Sequence, residues 1–153
     1  MEVSTSVEIN KSLEEVWNTI IDFENCSKYI ESIQKLEVLE KPSNTLVGFK
    51  WKETRVMFGK EATEIMWITE YNINEYYQTR AESHGSIYTS RLSIKSIKNK
   101  TQLTMSFGGE AQSLFAKVFS LCLGFMMKVA MRKALLKDLT DIKEHLELDS
   151  SSS

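Results

Sequence analysis

The last third of the chain predicts one long helix whose two halves differ in how much of their surface is apolar. An apolar stripe with helical spacing runs through both halves and consists of Leu114, Val118, Leu121, Phe125, Val129, Leu136, Leu139, Ile142 and Leu146. The first half adds Phe115, Phe119, Cys122, Leu123, Met126, Met127, Ala130 and Met131. A helix that is apolar on nearly all sides buries both sides or faces something other than water. This surplus therefore indicates a cavity, an oligomer contact or a lipid surface.

The same segment carries too much charge to be read as a transmembrane span. A spanning helix needs about 20 mostly apolar residues with almost no charge. Lys117, Lys128, Arg132 and Lys133 interrupt the apolar run, and each is costly in hydrocarbon. We therefore expect no transmembrane segment, although peripheral contact with a membrane stays open.

Length and composition predict a single globular domain, residues 1–149, followed by a polar tail, residues 150–153. The 42% hydrophobic and 26% charged residues are ordinary for a soluble globular protein. A net charge of -2 argues against a nucleic-acid binder, which usually has a basic patch. The first ten residues show no basic-then-apolar signal pattern, which predicts a cytoplasmic protein. Cys26 and Cys122 are then expected to be free thiols.

Upstream of the long helix, the pattern predicts one strand, two short helices and six more strands. Ser12 is a candidate N-cap, and Glu15 three residues later completes a capping box. The predicted strands are 2–10, 34–40, 46–58, 61–71, 76–84, 86–97 and 101–108; the predicted short helices end near residue 22 and span 24–31, and the long helix begins near residue 111. Short turns between consecutive strands indicate antiparallel neighbours. The fold class is therefore α+β.

Three stretches of the chain resemble the START-like (SRPBCC, polyketide cyclase/dehydrase) superfamily, in particular its small bacterial members. Residues 7–39 are similar to its opening strand and the two helices that follow. Residues 47–72, VGFKWKETRVMFGKEATEIMWITEYN, are similar to its central hairpin. Residues 134–147, ALLKDLTDIKEHLE, are similar to its closing helix. These motifs are loose and apolar, so they indicate a fold more sharply than a function.

The resemblance implies a helix-grip fold, in which a seven-stranded antiparallel β-sheet wraps around a long C-terminal α-helix and two short helices follow strand 1. It also implies a cavity between the sheet and that helix, where family members bind lipids, sterols, quinones, polyketides or hormones and some catalyse reactions. No universal catalytic residue comes with the family. The Glu53-Thr54-Arg55 run is typical of the bacterial subgroup, and no established role accompanies it.

Three ionisable residues are candidates for catalysis. Glu53 and Arg55 share a predicted strand face with Trp51, so they either point into the cavity or form a salt bridge at the rim of the sheet. His84 precedes a glycine at a strand end, where it is either a general acid or base at the cavity mouth or an exposed turn residue. His145 lies among charged residues and is expected to face solvent. Two histidines and two cysteines, all far apart, predict no metal site, and no cofactor motif is present.

We expect a ligand-binding pocket to be lined mainly by aromatic and apolar side chains, with one polar group from Arg55 or Glu53. The predicted lining residues are Trp51, Arg55, Trp67, Tyr88, Phe107, Phe119 and Met126. Plain core packing is the alternative for each aromatic residue among them.

Three functions remain open at this point. The first is a non-enzymatic binder or carrier of a small hydrophobic ligand, such as a lipid, quinone or polyketide-like molecule, and this is the one we favour. The second is a polyketide cyclase or dehydratase that uses His84, Glu53 or Arg55 for acid–base chemistry. The third is an interaction protein that docks the apolar first half of the long helix on a partner, a membrane or a second copy in a homodimer.

Overall fold

The computed structural model places seven strands and a long C-terminal helix in the predicted order. It describes the backbone of residues 2–57, 59–83, 86–111 and 114–151, and the side chains within those ranges except at 57, 83, 110–111, 114–127 and 149–151. The strands are β1 (Glu2–Ile9), β2 (Ile33–Glu40), β3 (Lys50–Met57), β4 (Lys60–Asn72), β5 (Tyr76–Ser83), β6 (Ser86–Ile97) and β7 (Lys100–Ala111). The helices are α1 (Leu13–Ile20), a 3₁₀ helix (Phe23–Lys28) and α2 (Leu114–Ser151).

All seven strands belong to one antiparallel sheet with the order β1-β7-β6-β5-β4-β3-β2. Five of the six neighbouring pairs are consecutive in the chain, as the short turns predict. The sixth joins β1 to β7, with Val3 opposite Phe107. The predicted α+β class and the strand count are confirmed.

The capping box predicted at the start of α1 is present. The Ser12 side chain accepts a hydrogen bond from the Glu15 backbone N–H at 3.2 Å, and the Glu15 carboxylate accepts one from the Ser12 backbone N–H at 3.0 Å. Together these bonds satisfy two N–H groups that the first turn of a helix leaves without partners.

Several predicted element boundaries differ from the structure. The second short helix is a 3₁₀ helix that ends at Lys28. β3 begins at Lys50 rather than at residue 46, because Gly48, with a φ of 89°, makes a turn just before it. β7 continues through Gly108 and Gly109, since both residues pair with β6. Finally, α2 continues to Ser151 and so includes the first residues of the predicted tail.

The buried face of the second half of α2 also differs from the predicted stripe. Val129 and Leu136 were placed on that stripe, but they are 44% and 41% exposed. The residues that pack inward are Met131, Leu135, Asp138, Leu139, Asp141, Ile142 and Leu146. Leu139, Ile142 and Leu146 belong to the predicted stripe and are buried as predicted, so the difference is limited to Val129 and Leu136, whose places are taken by Met131 and Leu135. The buried face therefore includes two aspartates.

Candidate functional site

The concave face of the sheet can be followed from strand to strand through its register. Trp51 lies opposite Met66, Met66 opposite Ala81, Ala81 opposite Tyr88, and Tyr88 opposite Gly109. Residues directly opposite each other point to the same side of a sheet. Trp51 and Ala81 are buried, so this side faces the protein interior and the surface that α2 covers.

One end of the interior is a tightly packed aromatic cluster. The Phe23 ring stacks on Trp51 with a centroid distance of 4.9 Å, and it contacts Tyr77 edge-on at 5.2 Å. Phe49 lies 5.0 Å from the same ring. Leu139 of α2 belongs to this cluster as well. Trp51, which was predicted to line a pocket, is buried and belongs to this core cluster.

The opposite side of the interior, on β6 and β7, contains two aromatic side chains that stay partly exposed. Tyr88 and Phe107 are half-buried on the concave face, with rings stacked at 5.7 Å. A Cβ at Gly109 would lie only 3.3 Å from Tyr88 Cδ1, so glycine lets the tyrosine ring lie flat against β7. Beside them, the Thr79 and Ser90 hydroxyls share a 2.5 Å hydrogen bond. This end therefore presents two aromatic rings and a pair of hydroxyl groups.

A buried ion network lies between the sheet and the helix. Arg55 donates from Nε to Glu53 Oε2 at 2.9 Å and from Nη1 to Asp138 Oδ2 at 2.8 Å. The Asp138 Oδ1 atom accepts a 2.8 Å hydrogen bond from Ser32 Oγ. The Arg55, Glu53 and Asp138 side chains are 19%, 7% and 6% exposed. Glu53 and Arg55 thus form the expected pair, but in a buried position rather than at the rim.

The network contains two carboxylates and one guanidinium, so its formal charge is -1. Burial lowers the pKa of Arg55, but Glu53 and Asp138 outweigh this effect and raise the pKa above its ordinary value. Arg55 therefore stays protonated. Its described hydrogen bonds use only Nε and Nη1.

Asp138 is the member of this network that the sequence pattern did not predict. It lies on α2 between Leu135 and Leu139, within the apolar face that packs inward. A carboxylate in that position is expensive to bury without a partner. That mismatch is the signal in the sequence, but the predicted stripe passed through Leu136 rather than Leu135 and so did not include Asp138.

A second aspartate of α2 holds the segment just before β2. Asp141 accepts a 3.0 Å hydrogen bond from the Glu31 backbone N–H and a 2.5 Å bond from Lys137. Lys137 also reaches the Glu31 carboxylate at 3.0 Å. Together with the bond from Ser32 to Asp138, these contacts attach the loop between the 3₁₀ helix and β2 to the middle of α2.

Trp67 does not line the interior. It lies opposite Lys50 on β3 and Arg80 on β5, on the outer face of the sheet. The Lys50 ammonium lies 5.9 Å from the centre of its ring. The neighbouring Met66 and Ile68 occupy the concave face instead.

One further predicted position, His145, differs from its prediction, and three others lie outside the described side chains. His145 is half-buried rather than solvent-facing, and its ring stacks on Tyr29 at 4.1 Å. His84 lies outside the described residues. Phe119 and Met126 belong to α2, but their side chains also lie outside the described part.

Three weak acids lie close together at the packed end, where Tyr77 is buried and Cys26 and Tyr29 are half-buried. Burial, with a smaller contribution from Glu53, raises the pKa of the free Cys26 thiol to about 12. Burial likewise raises the pKa of Tyr29 and Tyr77 above the usual range. All three groups are therefore neutral at physiological pH and are poor candidates for acid–base chemistry.

The described residues include neither a metal-binding cluster nor a membrane-spanning helix. They contain no group of three or more His, Cys, Asp or Glu side chains arranged to hold a metal ion. No helix within the same part of the chain is long and apolar enough to cross a membrane.

The sequence matches one family model along almost its full length. The model describes polyketide cyclase / dehydrase and lipid transport proteins and covers residues 1–147. No curated protein sequence matches this chain.

Several solved structures share the fold at low sequence identity. TTHA0849 from Thermus thermophilus is 16% identical, with a TM-score of 0.81 over 98% of this chain and 99% of that one. A START superfamily protein from Mycobacterium smegmatis is 18% identical, with a TM-score of 0.80 over 96% and 97%. The Zhui aromatase/cyclase from Streptomyces sp. R1128 is 14% identical, with a TM-score of 0.73 over 96% and 93%. At these identities the likeness extends to the fold alone.

Proposed function

Because this chain belongs to the polyketide cyclase/dehydrase and lipid transport family, we propose that it binds or carries a small hydrophobic ligand between the concave face of its sheet and the first half of α2. The family covers both ligand binding and catalysis. The choice between them depends on what the interior of this chain offers.

The observation that carries the proposal is the partial exposure of two inward-facing aromatic side chains on β6 and β7. Tyr88 and Phe107 face inward from neighbouring strands, yet both keep part of their surface exposed. The described side chains of α2 that pack beside Phe107 are Met131 and Leu135. Ligand sites in proteins are typically apolar and aromatic hollows with a few polar groups.

The polar groups at this end fit the recognition of an oxygen atom on an otherwise apolar ligand. The hydroxyls of Thr79 and Ser90 can each donate or accept. Across the sheet, on β3, Arg55 keeps its Nη2 group free of hydrogen bonds to described residues. These groups would orient a ligand, while the aromatic rings and apolar side chains would supply most of its binding energy.

The proposal is tested by asking whether a hydrophobic molecule co-purifies with the protein. Native mass spectrometry of protein purified without detergent should show a bound mass that organic extraction removes. A neutral fluorescent probe, N-phenyl-1-naphthylamine, should then bind the extracted protein with increased emission. A protein that carries no bound mass and does not bind the probe would rule the proposal out.

Two neighbouring residues on opposite faces of β6 provide a matched pair of variants. Ser90 points to the concave face and Thr89 to the outer face. We expect Ser90→Trp to block probe binding and Thr89→Trp to leave it unchanged, with circular dichroism confirming that both variants fold. Equal binding by the two variants would place the ligand elsewhere.

The fold shared with the Zhui aromatase/cyclase favours a second candidate, an enzyme of the cyclase or dehydratase type. Glu53 and Arg55 are engaged with each other, so neither is free to transfer a proton without breaking that pair. His84 is then the acid–base candidate to test. Turnover of a polyketide-like substrate that His84→Ala abolishes, with probe binding retained, would support the enzyme over the carrier.

The third candidate, docking of α2 on a partner or membrane, makes different predictions. It requires a dimer in size-exclusion chromatography with mass detection, or co-flotation with liposomes. A monomer that does not bind vesicles contradicts docking and is compatible with the carrier.

A further inference from the structure

We propose that the Glu53–Arg55–Asp138 network makes the interior select a neutral hydrophobic ligand over one that carries a carboxylate. This inference rests on the proposed ligand-binding function and adds the chemical class of the ligand. It predicts ketones, esters, quinones or alcohols, rather than fatty acids.

The first step of the argument is the position of the network. Arg55 is on β3, with its side chain on the concave face and directed at Asp138 of α2. The Nη2 nitrogen of this cation makes no hydrogen bond to another described residue. We expect a ligand carboxylate that enters the interior to pair with such a cation.

The second step is the charge around that cation. Glu53 and Asp138 are bonded to Arg55 at 2.9 and 2.8 Å, and both are almost completely buried. An anion placed at Nη2 is attracted by one positive charge and repelled by two negative charges only slightly farther away. The attraction and the repulsion nearly cancel, so the cost of removing the ligand carboxylate from water is not compensated.

The third step is the behaviour of a neutral oxygen at the same place. A carbonyl or hydroxyl oxygen accepts a hydrogen bond from Nη2 without bringing a charge into the interior. Its desolvation cost is far smaller than that of a carboxylate. Elsewhere on the concave face, on β5 and β6, the Thr79 and Ser90 hydroxyls offer neutral partners to a ligand that extends across the sheet. The interior therefore suits an uncharged polar end.

The test compares ligands that share one chain and differ only at the end. Decanoate, methyl decanoate and decanol compete for bound N-phenyl-1-naphthylamine at about pH 7.5, where the acid is ionised. We expect the ester and the alcohol to bind the wild-type protein at least about tenfold more tightly than decanoate. Decanoate affinity should rise as the pH is lowered towards about 5, because the ligand becomes neutral. Equal or tighter binding of decanoate at the higher pH would overturn the inference.

Variants test whether the Glu53–Arg55–Asp138 network causes the preference for neutral ligands. Asp138→Asn keeps the shape of the side chain and removes one negative charge, so the preference for neutral ligands should fall severalfold. Adding Glu53→Gln removes both carboxylates that are bonded to Arg55, and decanoate should then gain further on the neutral ligands. The control is Glu82→Gln, which removes an exposed charge on β5, paired with Arg80 on the outer face, and should leave the ratio unchanged. An unchanged ratio in folded Asp138→Asn protein would contradict the role of the network.

The outcomes separate this inference from the function on which it rests. If decanoate binds more tightly than the neutral ligands, the protein is still a hydrophobic-ligand binder and only the charge selection is wrong. If neither the probe nor any of the three ligands binds, the proposed function is wrong and the selection is overturned with it.

Discussion

Asp138 and Arg55 join the middle of the C-terminal helix to the third strand through a 2.8 Å bond between Oδ2 and Nη1. The helix packs chiefly on β1 and β7, which lie at the opposite side of the sheet from β3. The pair therefore crosses the interior, and Ser32 extends it to the loop before β2. A contact in this position fixes where α2 lies over the sheet.

Removing the guanidinium should destabilise the fold strongly. Arg55→Met leaves Glu53 and Asp138 buried without their cation, and an uncompensated buried charge typically costs about 3–5 kcal/mol. We expect a loss of that size in the free energy of unfolding, measured by urea denaturation at neutral pH.

The matching control replaces the whole network with neutral side chains. Glu53→Gln, Arg55→Met and Asp138→Leu together remove every charge, and such exchanges are often neutral or stabilising. We expect the triple variant to unfold within about 1 kcal/mol of the wild type, or at higher urea. A triple variant as unstable as Arg55→Met would show that the lost hydrogen bonds, rather than the stranded charges, cause the instability.

Two leucines on α2 test which of its faces is buried. Leu139 is fully buried and Leu136 is 41% exposed. Leu139→Ala should cost about 2–5 kcal/mol, because it opens a cavity in the core, whereas Leu136→Ala should cost well under that. Thermal or urea unfolding of both variants measures the difference. Equal losses of unfolding free energy would mean that Leu136 is buried, as the sequence pattern predicted.

The fold was predictable because its signals are local. Alternation with period 2 identified the strands, short turns made them antiparallel, and Ser12 with Glu15 marked the start of α1. Strand boundaries were harder to predict where they depended on a glycine. Gly48 ends a turn, but Gly109 lies inside a strand, and only the pairing partner distinguishes the two cases.

The interior was harder to predict because its contacts are distant in the chain. Arg55 and Asp138 are 83 positions apart, and no local pattern joins them. Trp67 was misplaced for another reason. It lies in the continuous apolar run Ile65, Met66, Trp67 and Ile68, which gives no alternation from which to decide the face.

The N-cap of α1 should contribute measurably to stability. Ser12→Ala removes the side chain that accepts from the Glu15 N–H, which typically costs about 1 kcal/mol. Ser12→Asp should retain most of the stability, since aspartate caps equally well and favours a helix N-terminus. Urea unfolding of the two variants measures both effects. If both lose the same stability, the hydroxyl acts through something other than capping.

The buried weak acids predict a loss of stability at alkaline pH. Burial raises the pKa of Cys26, Tyr29 and Tyr77 in the folded chain, so in alkali the unfolded chain releases these protons first. The stability that these neutral groups contribute is complete below their pKa values in the unfolded chain, which begin near pH 9, and it falls as the pH rises towards about 12.

Tyr77→Phe removes one such proton. We expect its unfolding free energy, measured by urea denaturation between about pH 7 and about pH 11, to fall less steeply with pH than that of the wild type. Tyr76→Phe, on the outer face beneath Arg91, provides the control. A Tyr77→Phe slope as steep as that of the control would mean that alkaline unfolding does not depend on the buried phenol.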